Sequence, residues 1–175
     1  MKNGHALHVY TGEGKGKTSA AVGAAVRFAG HGGRVLFAQF LKNGRSGERE
    51  ALTKLGVLLP EMPELSGFYT QMEEPTKQAS AAAFQEGATA LIRIIEQERP
   101  GLIVLDELCV ALAFAVLPED LARALIDAAL SAGETIVTGR GAPEWLTAQA
   151  DYWTTLSADR HPYATGIGSR EGIEW

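Results

Sequence analysis

Thr11-Gly12-Glu13-Gly14-Lys15-Gly16-Lys17-Thr18-Ser19 is the stretch on which the reading of the chain turns. It follows a short, mostly apolar run at 6–10 and precedes a stretch of mainly Ala, Val and Phe at 18–29. It is therefore the tight turn between a strand and a helix buried on most sides. Glycine adopts backbone conformations closed to residues with a Cβ, so the N–H groups of Gly12, Glu13, Gly14, Lys15 and Gly16 can converge on one anion. The N-terminus of the following helix adds the positive end of its dipole. In such a cradle Lys17 reaches phosphate oxygens and the Thr18 hydroxyl takes a place on Mg²⁺, with Ser19 completing the segment. The usual pattern carries glycine where Thr11 stands, so this is a variant with Gly12 displaced by one.

Working outward, the pattern predicts further strands over 34–40, 102–105, 134–138 and 152–156. Helices are expected over 48–55, over 77–99 with Ala81, Phe84, Ala88, Leu91 and Ile95 on one face, from Pro118 at a first-turn position, and over 143–149. Strands alternating with helices imply an α/β fold, a parallel sheet with helices on both faces. The 175 residues make one domain spanning 1–175. The 41–76 region, rich in Gly, Pro and Glu, is the least patterned third.

A carboxylate at the end of a neighbouring parallel strand usually serves a phosphate loop, and Leu102-Ile103-Val104-Leu105-Asp106-Glu107 supplies two. Asp106 or Glu107 would hold Mg²⁺ directly or through water. Arg140, between Gly139 and Gly141 after the next strand, either approaches phosphate or sits in a surface turn. Lys42, Arg45, Glu48 and Arg49 follow the second strand near the same sheet edge, where they either add to that positive site or, the safer reading of those four by themselves, form a solvated charged loop, and His161 reads as structural.

A formal net charge of −5 argues against nucleic acid or an anionic membrane surface as partner. No run approaches the roughly 18 apolar residues of a membrane span. Cys109 is the one cysteine, so no intramolecular disulfide forms and the chain reads as intracellular, hence cytoplasmic. There is no Gly-x-Ser-x-Gly, no His-Glu-x-x-His and no evident base. The residues point to nucleoside triphosphate binding without saying which bond breaks. A phosphate-loop kinase or NTPase and a non-catalytic ATP-binding regulator both stay open.

An ordered set of motifs resembles the phosphate-loop corrinoid adenosyltransferases: the segment from His8 through the loop; Gly30-His-Gly-Gly-Arg-Val; Gln39-Phe-Leu-Lys with Gly47-Glu-Arg; Val104-Leu-Asp-Glu-Leu; Thr138-Gly-Arg-Gly; and the ending around His161-Pro-Tyr and Gly172-Ile-Glu-Trp. Thr11 at the variant position is similar to that family's own pattern. The resemblance implies a RecA-like phosphate-loop fold and a homodimer. It implies transfer of the 5′-deoxyadenosyl group of ATP to Co(I) of a corrinoid, with triphosphate released and a reduced flavoprotein as electron donor. It further implies that Lys17 and Arg140 meet phosphate, that Thr18 and Glu107 hold Mg²⁺ with Asp106 in support, and that Arg27 lies near the nucleotide. Phe68 and Tyr69 would press on the corrin's lower face, in an aromatic segment two residues shorter than the family's and lacking its tryptophan.

Overall fold

The computed structural model describes residues 4–42, 46–65, 67–160, 166–168 and 170–173. Among them, β1 (Leu7–Thr11), β2 (Val35–Gln39), β3 (Leu102–Asp106), β4 (Glu134–Thr138) and β5 (Tyr152–Thr155) form one sheet in the order β2-β3-β4-β1-β5, parallel at every pairing. The helices are α1 (Lys17–Gly30), α2 (Gly47–Lys54), α3 (Glu74–Glu98), α4 (Leu108–Ala113), α5 (Glu119–Ala132) and α6 (Glu144–Gln149). The parallel sheet that the alternation of strands and helices implies is present, consistent with a RecA-like phosphate-loop fold.

Side chains alternate across a strand, and here the alternation separates two cores. Val35 and Phe37 of β2, Leu102 and Val104 of β3 and Ile136 of β4 pack on one face with Ala21 and Ala25 of α1 and Leu52 of α2. Leu36, Ala38, Ile103, Leu105 and Val137 turn to the opposite face, against Phe84, Ala88, Leu91 and Ile95 of α3 and Leu125, Ile126 and Ala129 of α5. Four of the five positions that the period of α3 selects are thus buried, and the fifth, Ala81, packs partly buried against the same core. Burying each of these larger side chains contributes about 1.5–3 kcal/mol before conformational entropy is subtracted.

Several boundaries differ from the sequence reading. α3 begins three residues early, at Glu74, because Pro75 occupies its first turn where no N–H partner is needed. Pro118 and Pro143 are N-caps in extended conformation, one position before the first-turn place expected of Pro118. The α4 helix was not expected; its apolar LCVALA sequence follows Asp106 and Glu107 directly and spans only six residues. All four residues of β5 are exposed, Tyr152 at 58% and Trp153 at 62%. Within 41–76, residues 57–58 extend along the outer edge of β2, with Leu58 N–H donating to Val35 O and accepting at its carbonyl from Phe37 N–H. Arg45 and His161 lie outside the described residues.

No helix among the described residues is long and apolar enough to cross a membrane.

Candidate active site

β1 hands directly to the glycine loop, and the loop is pressed against the chain that leaves β5. Gly14 N–H donates to Leu156 O at 2.7 Å, and Leu156 N–H to Thr11 O at 2.8 Å. A Cβ on Gly12 would stand 2.4 Å from Leu156 O, and one on Gly14 2.5 Å from Ser157 O, so no other residue fits either place. Gly16, at φ +113°, is the N-cap of α1 and offers no side chain to the helix end. The first N–H groups of α1 are left facing the loop, which is the arrangement that binds anions.

Lys17 is buried, and its ammonium donates to Gly12 O and Gly14 O at 2.7 Å each. Burial, then Arg140, lowers its pKa, opposed by Glu107, Glu13 and Asp106. Arg140 reaches the same loop from beyond β4: its Nε lies 3.2 Å from Glu13 Oε2 and its guanidinium donates to Glu13 O at 3.4 Å. Both side chains of that pair are exposed, so the contact is weak and Arg140 can exchange it for another anion. Lys15 and Ser19 are exposed on the outer side of the segment.

Asp106 ends β3 with no exposed surface and gathers the site around its two oxygens. Oδ1 accepts from the Thr18 hydroxyl at 2.9 Å and from the Thr138 hydroxyl at 2.6 Å. Oδ2 accepts from the Gln39 amide at 3.3 Å and pairs with Lys42 Nζ at 3.4 Å. Thr18 comes from the strand-loop-helix unit of β1, and Thr138 from β4, which lies between β1 and β3. The Thr138 hydroxyl also accepts from Glu107 N–H at 3.0 Å.

Glu107 takes a left-handed conformation, φ +60°, at the N-cap of α4. Its Oε2 lies 3.2 Å from where a Cβ on Gly139 would stand, so Gly139 at φ +131° makes room for the carboxylate. Asp106 is thus the carboxylate in contact with Thr18, with Glu107 beside it along the 138–141 turn. Burial, then Asp106, holds the Glu107 carboxyl above its usual range against the pull of Lys42, Lys17 and Arg140. The folded protein therefore holds that proton more tightly than the unfolded chain, and stability is lost as pH rises through the ordinary glutamate range toward the folded value. Glu107→Gln removes the loss: its melting temperature relative to the parent is expected to climb between pH 4 and pH 7, and a pH-independent difference would contradict the assignment.

Hard oxygen donors from Thr18, Asp106 and Glu107 beside an anion cradle suit Mg²⁺, which takes one or two carboxylates and completes its shell with phosphate and water. Cys109, adjoining Gly139, is fully buried and burial pushes its thiol up to about 12, so it is not a nucleophile.

Lys42, Glu48 and Arg49 are not the solvated loop that the sequence suggested. Lys42 pairs with Asp106, Gln39 donates to Glu48 at 2.9 Å, and Arg49 donates to Gln39 at 3.4 Å. The sequence reading also left out Thr138 and Gln39 as contacts of Asp106. Parallel register brings Gln39 opposite Asp106, a relation that local spacing does not encode.

Away from the loop, Phe68 is 75% exposed, and Tyr69 opens a single 3-10 turn (Tyr69–Gln71) with its ring stacked on Phe114, centroids 5.8 Å apart. Phe114 ends α4, the helix that Glu107 starts, so this aromatic surface is tied to the carboxylate end of β3. Arg27 lies about 15 Å along α1 from Lys17, outside the cradle, near Tyr10, whose pKa burial raises and the Arg27 charge only partly offsets.

Residues 3–175 match the profile of a family described as ATP:corrinoid adenosyltransferase BtuR/CobO/CobP. The chain is 32% identical over 174 residues to a corrinoid adenosyltransferase of Pseudomonas aeruginosa, with 97% of this chain and 83% of the relative covered. It is 33% identical over 168 residues to the corrinoid adenosyltransferase CobA of Salmonella typhimurium, covering 95% and 84% of the two chains. An Escherichia coli corrinoid adenosyltransferase is 32% identical over 169 residues, at 95% and 84%.

Proposed function

The chain belongs to the ATP:corrinoid adenosyltransferase family, a family of transferases, and from that footing we propose that it moves the 5′-deoxyadenosyl group of ATP to the cobalt of a reduced corrinoid and releases triphosphate, as a step in making or salvaging adenosylcobalamin. The observation that carries the ATP side is the assembly of Lys17, Thr18 and Asp106 at the open N-terminus of α1.

In this reading the triphosphate lies in the loop between Gly12 and Ser19, with Lys17 and Arg140 on its oxygens. Thr18, Asp106 and Glu107 hold Mg²⁺, whose chemistry when bound is to neutralise charge on the triphosphate. Arg27 serves the nucleoside end. Co(I) attacks the ribose 5′ carbon: a cobalt–carbon bond forms, the 5′ carbon–oxygen bond breaks, and its electron pair leaves with triphosphate. No proton has to be removed from the nucleophile, so this reading asks no general base of the site. The protein's contribution is orientation, leaving-group stabilisation and exclusion of water. Phosphorus NMR tests this directly, because triphosphate supports the transfer and ADP would replace it with a kinase or NTPase.

Phe68, with the Tyr69–Phe114 stack beside it, is the apolar surface offered to the corrin, where it favours the four-coordinate Co(II) that an outside donor, a reduced flavoprotein, can reduce by one electron. Phe68→Ala is expected to slow adenosylation started from Co(II) on the order of ten-fold more than adenosylation of chemically prepared Co(I). Being so exposed, Phe68 should leave stability within about 0.5 kcal/mol when truncated. Equal loss in the two assays would remove Phe68 from the activation step. A homodimer and a cytoplasmic location complete the proposal, both from the family alone.

A further inference from the structure

Gln39 and Asp106 are the last residues of β2 and β3 and register partners across that pair of strands. Both are buried, at 3% and 0% exposure. The Gln39 amide nitrogen donates to Glu48 Oε1 at 2.9 Å and to Asp106 Oδ2 at 3.3 Å, while its oxygen accepts from the Ser46 hydroxyl at 3.0 Å and from Arg49 at 3.4 Å. A primary amide has two N–H donors and two acceptor sites, so these four side chains use all of it and fix which way it points. Turned over, its oxygen would face two carboxylates and its N–H groups two donors. Lys42 lies over the same pair, 3.4 Å from Asp106 Oδ2 and 3.8 Å from Glu48 Oε1. The two oxygens of Asp106 therefore have separate attachments: Oδ1 to the phosphate-loop side through Thr18 and Thr138, and Oδ2 through Gln39 and Lys42 to the first turn of α2, where Glu48 sits.

We propose that Gln39 is a positioning residue for the divalent-cation site: its saturated amide orients the Asp106 carboxylate and ties it to Glu48, so that α2 sets how tightly the site takes Mg²⁺ with ATP. The inference rests on Asp106 being a Mg²⁺ carboxylate, as in the proposed function, and is independent of the corrinoid. Groups that orient a metal's carboxylate from behind typically change metal affinity by about 10–100-fold when lost.

The test measures ATP binding to the full chain by calorimetry across a Mg²⁺ titration, with no corrinoid present, and in EDTA. Gln39→Leu is expected to raise the Mg²⁺ needed for half-maximal ATP binding about ten-fold or more, with binding in EDTA changed less than two-fold. Glu48→Gln keeps shape and volume at the outer end of the chain of contacts, and serves should Gln39→Leu not fold; it is expected to shift the Mg²⁺ midpoint about three-fold in the same direction. A merely packing role would lower the melting temperature and leave the midpoint in place, and that result overturns the proposal. So does parent protein whose ATP binding ignores Mg²⁺. Adenosyl transfer by the parent is assayed separately. Shifted midpoints with no transfer uphold the role of Gln39 and refute the transferase reading; transfer with unshifted midpoints does the reverse.

Discussion

Lys17→Ala is expected to cut kcat/KM for ATP by about 10²–10³-fold without unfolding the protein. The ammonium sits across Gly12 O and Gly14 O at the mouth of the cradle, where triphosphate charge must be met. Its loss removes a preorganised cation that gains most as negative charge builds on the leaving group. Stability should move the other way. Burial, then Arg140, lowers the Lys17 pKa, so the fold carries that charge at a cost at neutral pH, a cost relieved only as pH rises through the folded value. The melting temperature of the alanine variant is therefore expected to stay within a few degrees of the parent or to exceed it. Retention of more than a tenth of the activity, or collapse of the fold, would contradict this reading of the loop.

Asp106→Asn is expected to damage activity and stability together. An asparagine can present an acceptor to Thr18 and Thr138, but its N–H₂ then faces the donors of Gln39 and Lys42. Lys42 also loses the nearer of its two charge partners, keeping Glu48 at 3.8 Å. Against the burial that lowers it, Asp106 and then Glu48 raise the Lys42 pKa, so the pairing stabilises the fold throughout the range below the ordinary lysine value and is lost only as pH rises through the folded one. Breaking a buried pair by removing one member costs about 3–5 kcal/mol. For a chain of this size that corresponds to a melting temperature lower by about 6–20 °C at neutral pH. Activity at fixed Mg²⁺ is expected to fall by about 10²-fold, with part of the loss recovered at high Mg²⁺. An unchanged melting temperature with an unchanged Mg²⁺ requirement would remove Asp106 from the centre of the site.

The parts of this site that could be read from the chain are those whose chemistry is local. A loop in which Gly12 and Gly14 have no room for a Cβ leaves its mark as glycines, and a helix that buries one face leaves Phe84, Ala88, Leu91 and Ile95 at regular intervals. Asp106 and Glu107 were legible because a strand of continuous apolar residues ends on them. What was not legible depends on register between strands distant in sequence. Gln39 and Thr138 reach Asp106 because β2 and β4 flank β3. The same placement turns Lys42, Glu48 and Arg49, a run of charges that looks solvated by itself, into the far side of a buried network. The α4 helix was missed for a different reason: six residues, all apolar, carry no periodic signal, and Asp106-Glu107 before them marks the end of a strand without marking the start of a helix. Phe114, at the end of that helix, was lost with it, and so was its stacking on Tyr69.

The central claim is tested most directly by mixing the protein with MgATP and chemically reduced cobalamin, anaerobically and in the dark, while following the corrinoid spectrum and identifying the phosphate product by phosphorus NMR. A light-sensitive alkylcobalt spectrum that grows in step with one equivalent of triphosphate is the result expected. ADP in place of triphosphate, or bound ATP that stays intact beside an unchanged corrinoid, would contradict it.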